Sequence, residues 1–342
     1  MDKIEVNKIV NASKLNQFRT IELLDKLSCF LKVNTEVFSN RLNYPVYTTN
    51  RIPKKKGGWR ELLVPETELM RIQSKLNVCL QLYFNKIKPD CVHGFLMNER
   101  TGEELRSIVS NAQAHVGKSF LLNIDLKNFF PSISAKRINE LLHDKLSLFP
   151  NEKMANAVTL LCTYKGFLPT GAPTSPVLSN IVCLPLDYEL STYCENNQIT
   201  YTRYADDLSF SSNRYFSEKC ISEIRQIIKE QQFAINEKKF RINSRKSQQR
   251  VTGLVVNNKV NVDRTYIKTI RACLHNWKLN GLEHATAKHY FVIAPSTEEQ
   301  AQFSNKLKGQ IEFIGMVRGK KDEIYIKYKG EFKYLIGSSV FP

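Results

Sequence analysis

The sequence predicts an α+β fold, in which helices are mixed with short antiparallel strands. Three observations carry that expectation. Apolar residues recur at every third or fourth position near both ends of the chain and in several stretches between them. Pairs of β-rich arms are joined by short runs of turn residues. No internal repeat, low-complexity tract or obvious linker interrupts the 342 residues, a length that suffices for two or three subdomains around a substantial core.

Residues 1 to about 40 read as helical, with Val10, Ile21, Leu24, Leu27 and Leu31 at helical spacing and Pro45 closing the region. Val46–Pro53 and Trp59–Pro65 read as two strands around Gly57-Gly58, a hairpin whose tip carries Lys54, Lys55 and Lys56. Residues 66–88 return to helical spacing through Leu69, Ile72, Leu76, Leu80 and Tyr83. Phe120–Leu126 reads as a buried strand ended by Pro131, and a helix follows from Ser134, an N-cap type, to about Lys145. The breaker-rich segment 167–176 is a loop that enters one long helix running from Pro176 to about Asn196. Residues 199–211 alternate apolar and polar on both sides of Ala205-Asp206, which predicts two half-buried strands and a tight turn. A helix over 217–232, a second hairpin around Asn257-Asn258, and mainly helical spacing from Arg264 onward complete the pattern.

Composition narrows the partner. Fifty Lys and Arg against thirty-three Asp and Glu leave a net charge of +17, which favours a polyanion, most simply nucleic acid. No stretch approaches the ~20 apolar residues of a membrane span, and Met1–Asn7 holds no secretory signal. The eight cysteines are scattered without a CxxC, which argues against a zinc ribbon and fits a reducing, cytoplasmic setting.

The chemistry concentrates at Tyr204-Ala205-Asp206-Asp207. Two adjacent carboxylates at a hairpin tip suit hard divalent cations, which take oxygen ligands and serve phosphoryl transfer. Asp125 ends the apolar strand 120–126, where a carboxylate is costly unless it faces water or meets a cation. Taken singly, Asp125 reads as well as a solvated strand end, and Ala205-Asp206-Asp207 as a surface turn.

The ordered set is more specific. The segments Asn123–Ile133, Leu168–Pro176 with Leu178, Ser179 and Asn180, and Tyr201–Asp207 resemble motifs A, B and C of the reverse transcriptases, in particular the retron-type bacterial ones. Ile235–Lys239 looks like motif D, and Asn111–His115 and Val251–Gly253 look retron-like. The resemblance runs from about residue 45 to 275 and implies a right-hand polymerase fold of fingers, palm and thumb with an antiparallel palm sheet. Its expected division is a helical region 1–45, fingers 46–120 and 145–168, palm 121–144 and 169–255, and an RNA-binding thumb 256–342.

The resemblance also implies roles. Asp125, Asp206 and Asp207 would be catalytic and hold two Mg²⁺, with the carbonyl of Leu126 a further ligand. The dNTP would meet Lys54, Arg60, Phe130, Thr170, Gly171 and Lys238 or its neighbour Lys239. Phe130 would exclude a 2′-hydroxyl, whereas Phe129 reads as core. Thr170 stands where the family usually has Gln, which puts that side-chain contact in question. Lys55, Lys56, Arg245, Lys246, Arg250, Arg264, Lys268 and Arg271 would meet nucleic acid. His93 and His115 have no acidic or Cys neighbours at metal spacing and read as packing or RNA contacts. The activity implied is RNA-directed DNA synthesis on a cognate structured non-coding RNA, giving a branched RNA–DNA (msDNA), with a separate effector protein in anti-phage defence. The alternatives are a group II intron-like or other bacterial reverse transcriptase, and a non-catalytic RNA-binding scaffold on the same fold.

Overall fold

The computed structural model describes residues 3–53, 57–97, 106–146, 148–149 and 151–339, so Lys54, Lys55 and Lys56 lie outside the described residues. Two units emerge, one formed by residues 1–107 and 119–242, the other by 108–118 and 243–342.

Helices α1 (Lys3–Arg19), α2 (Leu24–Phe30) and α3 (Thr35–Asn43) form the N-terminal helical region. Ile21, Leu27 and Leu31 are buried as their spacing predicts, but Val10 is exposed. Strands β1 (Tyr47–Pro53) and β2 (Trp59–Pro65) pair antiparallel from Tyr47 opposite Pro65 to Pro53 opposite Trp59. The spine of the first unit is α4 (Thr67–Ile87), on which Leu69, Ile72, Leu76, Leu80 and Phe84 are wholly buried. The short helix α5 (Ile108–Gln113) belongs to the second unit.

Strand β3 (Phe120–Asp125) is followed by a 3₁₀ turn over Phe130–Ser132 and by α6 (Ala135–Glu140). The Ser134 hydroxyl caps α6 by accepting from the Arg137 N–H at 3.2 Å, and a π-helical turn continues it over Leu141–Lys145. Beyond α7 (Glu152–Cys162), the expected long helix is two, α8 (Ser175–Val182) and α9 (Leu184–Asn196). The break falls at Cys183, because Pro185 has no N–H to continue the ladder and suits the first turn of a new helix. Strands β4 (Thr200–Tyr204) and β5 (Asp207–Ser212) form the hairpin, and α10 (Glu218–Glu230) starts at a Ser217 cap. Strand β6 (Arg241–Ser244) completes a four-stranded sheet in the order β4-β5-β3-β6, with β3–β5 and β4–β5 antiparallel.

The β4–β5 hairpin is more deeply buried than its alternation predicts. Leu208 to Ser212 are all buried, and so are Thr202 and Arg203. Polar residues are retained there because they have partners, such as Ser209 with Asn123.

In the second unit β7 (Arg250–Val251) and β8 (Leu254–Val255) turn through Thr252 and Gly253, at φ 48° and 82°. The Asn257-Asn258 turn is also present, flanked by one bridge between Val255 and Asn261. Three helices follow: α11 (Arg264–Tyr290), kinked at Gly281 (φ 82°, ψ 169°), α12 (Thr297–Arg318) and α13 (Glu323–Ser339). They pack pairwise around Trp277, whose ring lies 6.1 Å from Phe303 and 5.8 Å from Phe332. No helix among the described residues is long and apolar enough to cross a membrane, and the eight cysteines are free thiols.

Candidate active site

Strand β3 delivers Asp125 to the same end of the sheet as the β4–β5 turn. The register sets Asp125 directly opposite Asp207, and the Leu126 N–H donates to the Asp206 carbonyl at 3.0 Å. Opposed residues of antiparallel strands have Cβ atoms about 4.5–5.5 Å apart, within reach of a shared cation. The three sequence-predicted acids are therefore brought together in the first unit.

Their electrostatics are those of crowded like charges. Burial, then repulsion from Asp206 and Asp125, pushes the Asp207 carboxyl up to about 6. Burial, with repulsion from Asp125, also raises Asp206, while Lys239 and Arg60 pull it down. Asp125 is 5% exposed, and its carboxylate is already engaged. Lys239 Nζ donates to Oδ2 at 2.5 Å and Asn236 Nδ2 to Oδ1 at 2.8 Å. The Asn236 N–H holds the Asp125 carbonyl as well, at 2.8 Å. Of the adjacent lysines, Lys239 is thus the one on the acids, and the exposed Lys238 makes no such bond. Among the described residues no three His, Cys, Asp or Glu side chains form a ready-made metal cluster. The carboxylate oxygens are nonetheless the donor type that hard cations take, and their mutual repulsion is what a cation relieves.

The turn is held from below by a buried polar clamp that the sequence reading missed. Arg203, wholly buried, makes a two-pronged pair with the equally buried Asp187 of α9, through Nε at 2.8 Å and Nη2 at 2.6 Å. Its Nη1 donates to Asn180 Oδ1 at 2.9 Å and to the Ala205 carbonyl at 3.2 Å. Tyr201 donates to Asp187 at 2.9 Å, and Asn180 donates to the Gly94 carbonyl at 3.0 Å. Ala205 sits in the left-handed region at φ 57°, and a Cβ on Gly94 would come within 2.8 Å of its nitrogen. An arginine in a strand of buried residues was the available signal, since such a charge requires an acidic partner.

The loop before α8 is joined to the backbone of β2 through Thr170 and Gly171. Thr170 Oγ1 donates to the Glu61 carbonyl at 3.0 Å and accepts from the Leu63 N–H at 3.2 Å. The Gly171 N–H donates to the Leu63 carbonyl at 3.1 Å, and a Cβ on Gly171 would meet that oxygen at 2.7 Å. Exposed Arg60 precedes Glu61 on β2, and its charge is felt at Asp206. Phe130 is half-buried against Phe129 (5.4 Å) and Phe95 (6.0 Å), whereas Phe129 is core, its ring tilted against Phe233 at 5.8 Å. Partial burial holds His93 neutral down to about pH 4. His115 is fully buried.

In the second unit Arg264, Lys268 and Arg271 are exposed along one face of α11, at spacings of four and three. Arg245 and Lys246 are exposed too, whereas Arg250 is paired with Asp263, the N-cap of α11. The stretches that carry segments 111–115 and 251–253 are joined in this unit: α5 packs on β7 and β8, Thr252 Oγ1 donates to the Ile108 carbonyl at 3.0 Å, and the Gly117 N–H donates to the Val256 carbonyl at 3.0 Å.

Three carboxylates gathered at one sheet end are the kind of site that nucleotidyl-transfer enzymes use, and comparison with known proteins fixes the family. Residues 52–316 match the family described as reverse transcriptase (RNA-dependent DNA polymerase). The chain belongs to that family and, within it, to the retron-type enzymes; it is an RNA-directed DNA polymerase with the right-hand polymerase fold. It is 33% identical to the retron Ec86 reverse transcriptase of Escherichia coli, over 83% of this chain and 90% of that one. It is 34% identical to the retron Mx162 reverse transcriptase of Myxococcus xanthus, over 82% of this chain and 59% of that one. Among solved structures it is similar to telomerase from Candida albicans, with 10% identity, a TM-score of 0.46, and coverage of 87% of this chain and 64% of that chain.

Proposed function

We propose that this enzyme copies a cognate structured non-coding RNA into a small DNA that stays joined to the RNA through a branch at a 2′-hydroxyl. Asp125, Asp206 and Asp207 would hold two Mg²⁺, with the Leu126 carbonyl a further ligand. The bound ions would supply positive charge beside the attacking hydroxyl and the departing pyrophosphate. The chain's own groups do the rest. Arg60, Lys54 and one of the motif D lysines neutralise the triphosphate, and Phe130 stands under the sugar and disfavours a 2′-hydroxyl. Gly171 lets the incoming base pair approach the backbone. Lys55, Lys56, Arg245, Lys246, Arg250, Arg264, Lys268 and Arg271 grip phosphates. The fingers are 46–120 and 145–168, the palm 121–144 and 169–255, and the thumb 256–342. The setting is the cytoplasm, where a separate effector protein couples the product to anti-phage defence.

The observation that carries this reading is the pairing of Asp125 with Asp207 across β3 and β5, one residue from Asp206. It supports the reading because acids remote in sequence then stand close enough to share a pair of cations. The test is to purify the protein from its host and digest the bound nucleic acid separately with RNase and DNase. A small DNA covalently joined to RNA is the expected result. RNA with no DNA, unchanged by Asp206→Asn, contradicts the reading.

A further inference from the structure

The second unit contains a cleft of about 570 Å³ between α11 and α13, within the volume range of small-ligand sites. Its floor is apolar, formed by the buried Leu274 and Leu335. Its rim is cationic on both helices: Arg271 and Lys278 from α11, Lys327 from α13, all exposed. Tyr334, largely exposed, stands on the same rim, and Glu331 adds a carboxylate acceptor. At Gly330 the helix has no side chain, and a Cβ built there meets nothing within 4 Å, so the groove stays open along α13.

An apolar floor, an aromatic ring and converging cations are what an unstacked base and its flanking phosphates need. A duplex has no base to insert, and its phosphates are met by exposed lysines and arginines without a cavity. Glu331 has no use in a site for phosphate alone, but it can accept from the exocyclic amino group of a base.

We propose that this cleft is a pocket for one unpaired nucleotide of the bound RNA, which seats its base over Leu274 and Leu335 beside Tyr334 and its phosphates on Arg271, Lys278 and Lys327. The proposal rests on the RNA-copying function above and adds to it a single-stranded element that the enzyme reads. Duplex grip then supplies general affinity, and the pocket supplies discrimination.

The test uses the full-length protein and two fluorescent RNA hairpins, one blunt and one with a randomised five-nucleotide single-stranded tail. The wild type is expected to bind the tailed RNA about tenfold more tightly, a stacking contribution of ordinary size for one base. Gly330→Leu fills the groove with a better helix former and changes no charge. It should abolish the tenfold preference and leave blunt-hairpin affinity unaltered. Tyr334→Ala, on an exposed ring, provides a second variant that does not depend on Gly330 and should cut the preference at least fivefold. Equal binding of the two RNAs by the wild type, or a preference that survives both variants, overturns the pocket. Incorporation of dTTP on poly(rA)·oligo(dT) is measured alongside. Its absence in the wild type would sink the function itself, whereas its persistence in Gly330→Leu keeps the two conclusions separate.

Discussion

Arg203 and Asp187 offer a way to separate what folds the enzyme from what positions its acids. Both side chains are wholly buried, and their two-pronged contact is 2.6–2.8 Å long. Removing one partner leaves an uncompensated charge in the interior, at a cost of about 3–5 kcal/mol. Asp187→Leu should therefore lower the melting temperature of the first unit by roughly 10 °C, since each kcal/mol shifts a unit of this size by about 2–4 °C. The double variant Asp187→Leu/Arg203→Leu replaces the pair with apolar groups and should regain most of that loss. It cannot regain the Nη1 bonds to Asn180 and to the Ala205 carbonyl, which fix the turn that carries Asp206 and Asp207. A charged hydrogen bond of about 1.5–3 kcal/mol, lost at a turn that must be held in place, corresponds to a fall in kcat of roughly 10- to 100-fold. Thermal unfolding by circular dichroism gives the first quantity, and dTTP incorporation on poly(rA)·oligo(dT) the second. The reasoning is refuted if Asp187→Leu costs under about 1 kcal/mol, or if the double variant folds and keeps wild-type kcat.

Three further outcomes are expected. Thr170→Val removes the hydroxyl shared by Glu61 and Leu63 and should raise KM for dNTP severalfold with kcat little changed, whereas Thr170→Ser behaves as wild type; steady-state kinetics decide it. Gly94→Ala drives a Cβ to 2.8 Å from the Ala205 nitrogen, so kcat should fall at least tenfold on the same template even where the protein melts normally. Glu312, held by Lys320, Lys329 and Tyr325, titrates near 2 instead of the ordinary 4.5, so its stabilisation is complete above about 4.5 and is lost as pH falls toward 2. Because its side chain is 38% exposed, Glu312→Gln should cost no more than about 1 kcal/mol at pH 7, with the gap to wild type in urea unfolding closing below pH 4.5 and constant from pH 6 to 8.

Much of this arrangement was legible in the sequence, for local reasons. The hairpin around Ala205-Asp206, the Ser134 cap and the buried face of α4 follow from alternation, capping chemistry and helical spacing, all written in neighbouring residues. The family's motif order then joined Asp125 to Asp206 and Asp207. What could not be read depended on contacts between remote segments. Nothing local distinguishes Lys239 from Lys238, since only the fold decides which ammonium reaches Asp125. Thr170 finds its partners on β2, more than a hundred residues away. Arg203 finds Asp187 only because α9 packs on β4. The break at Cys183 was missed because Pro185 is as acceptable in a first helical turn as it is disruptive in a helix interior.

The central claim is that Asp125, Asp206 and Asp207 act as one cation-binding unit, and RNA-templated dTTP incorporation in Mg²⁺ buffer by the three single Asn variants and the triple variant tests it most directly. The account predicts that each single variant loses at least a thousandfold in rate and that the triple variant is scarcely worse than any one of them, as expected of groups that work together. Incorporation within tenfold of wild type by any single variant would contradict it.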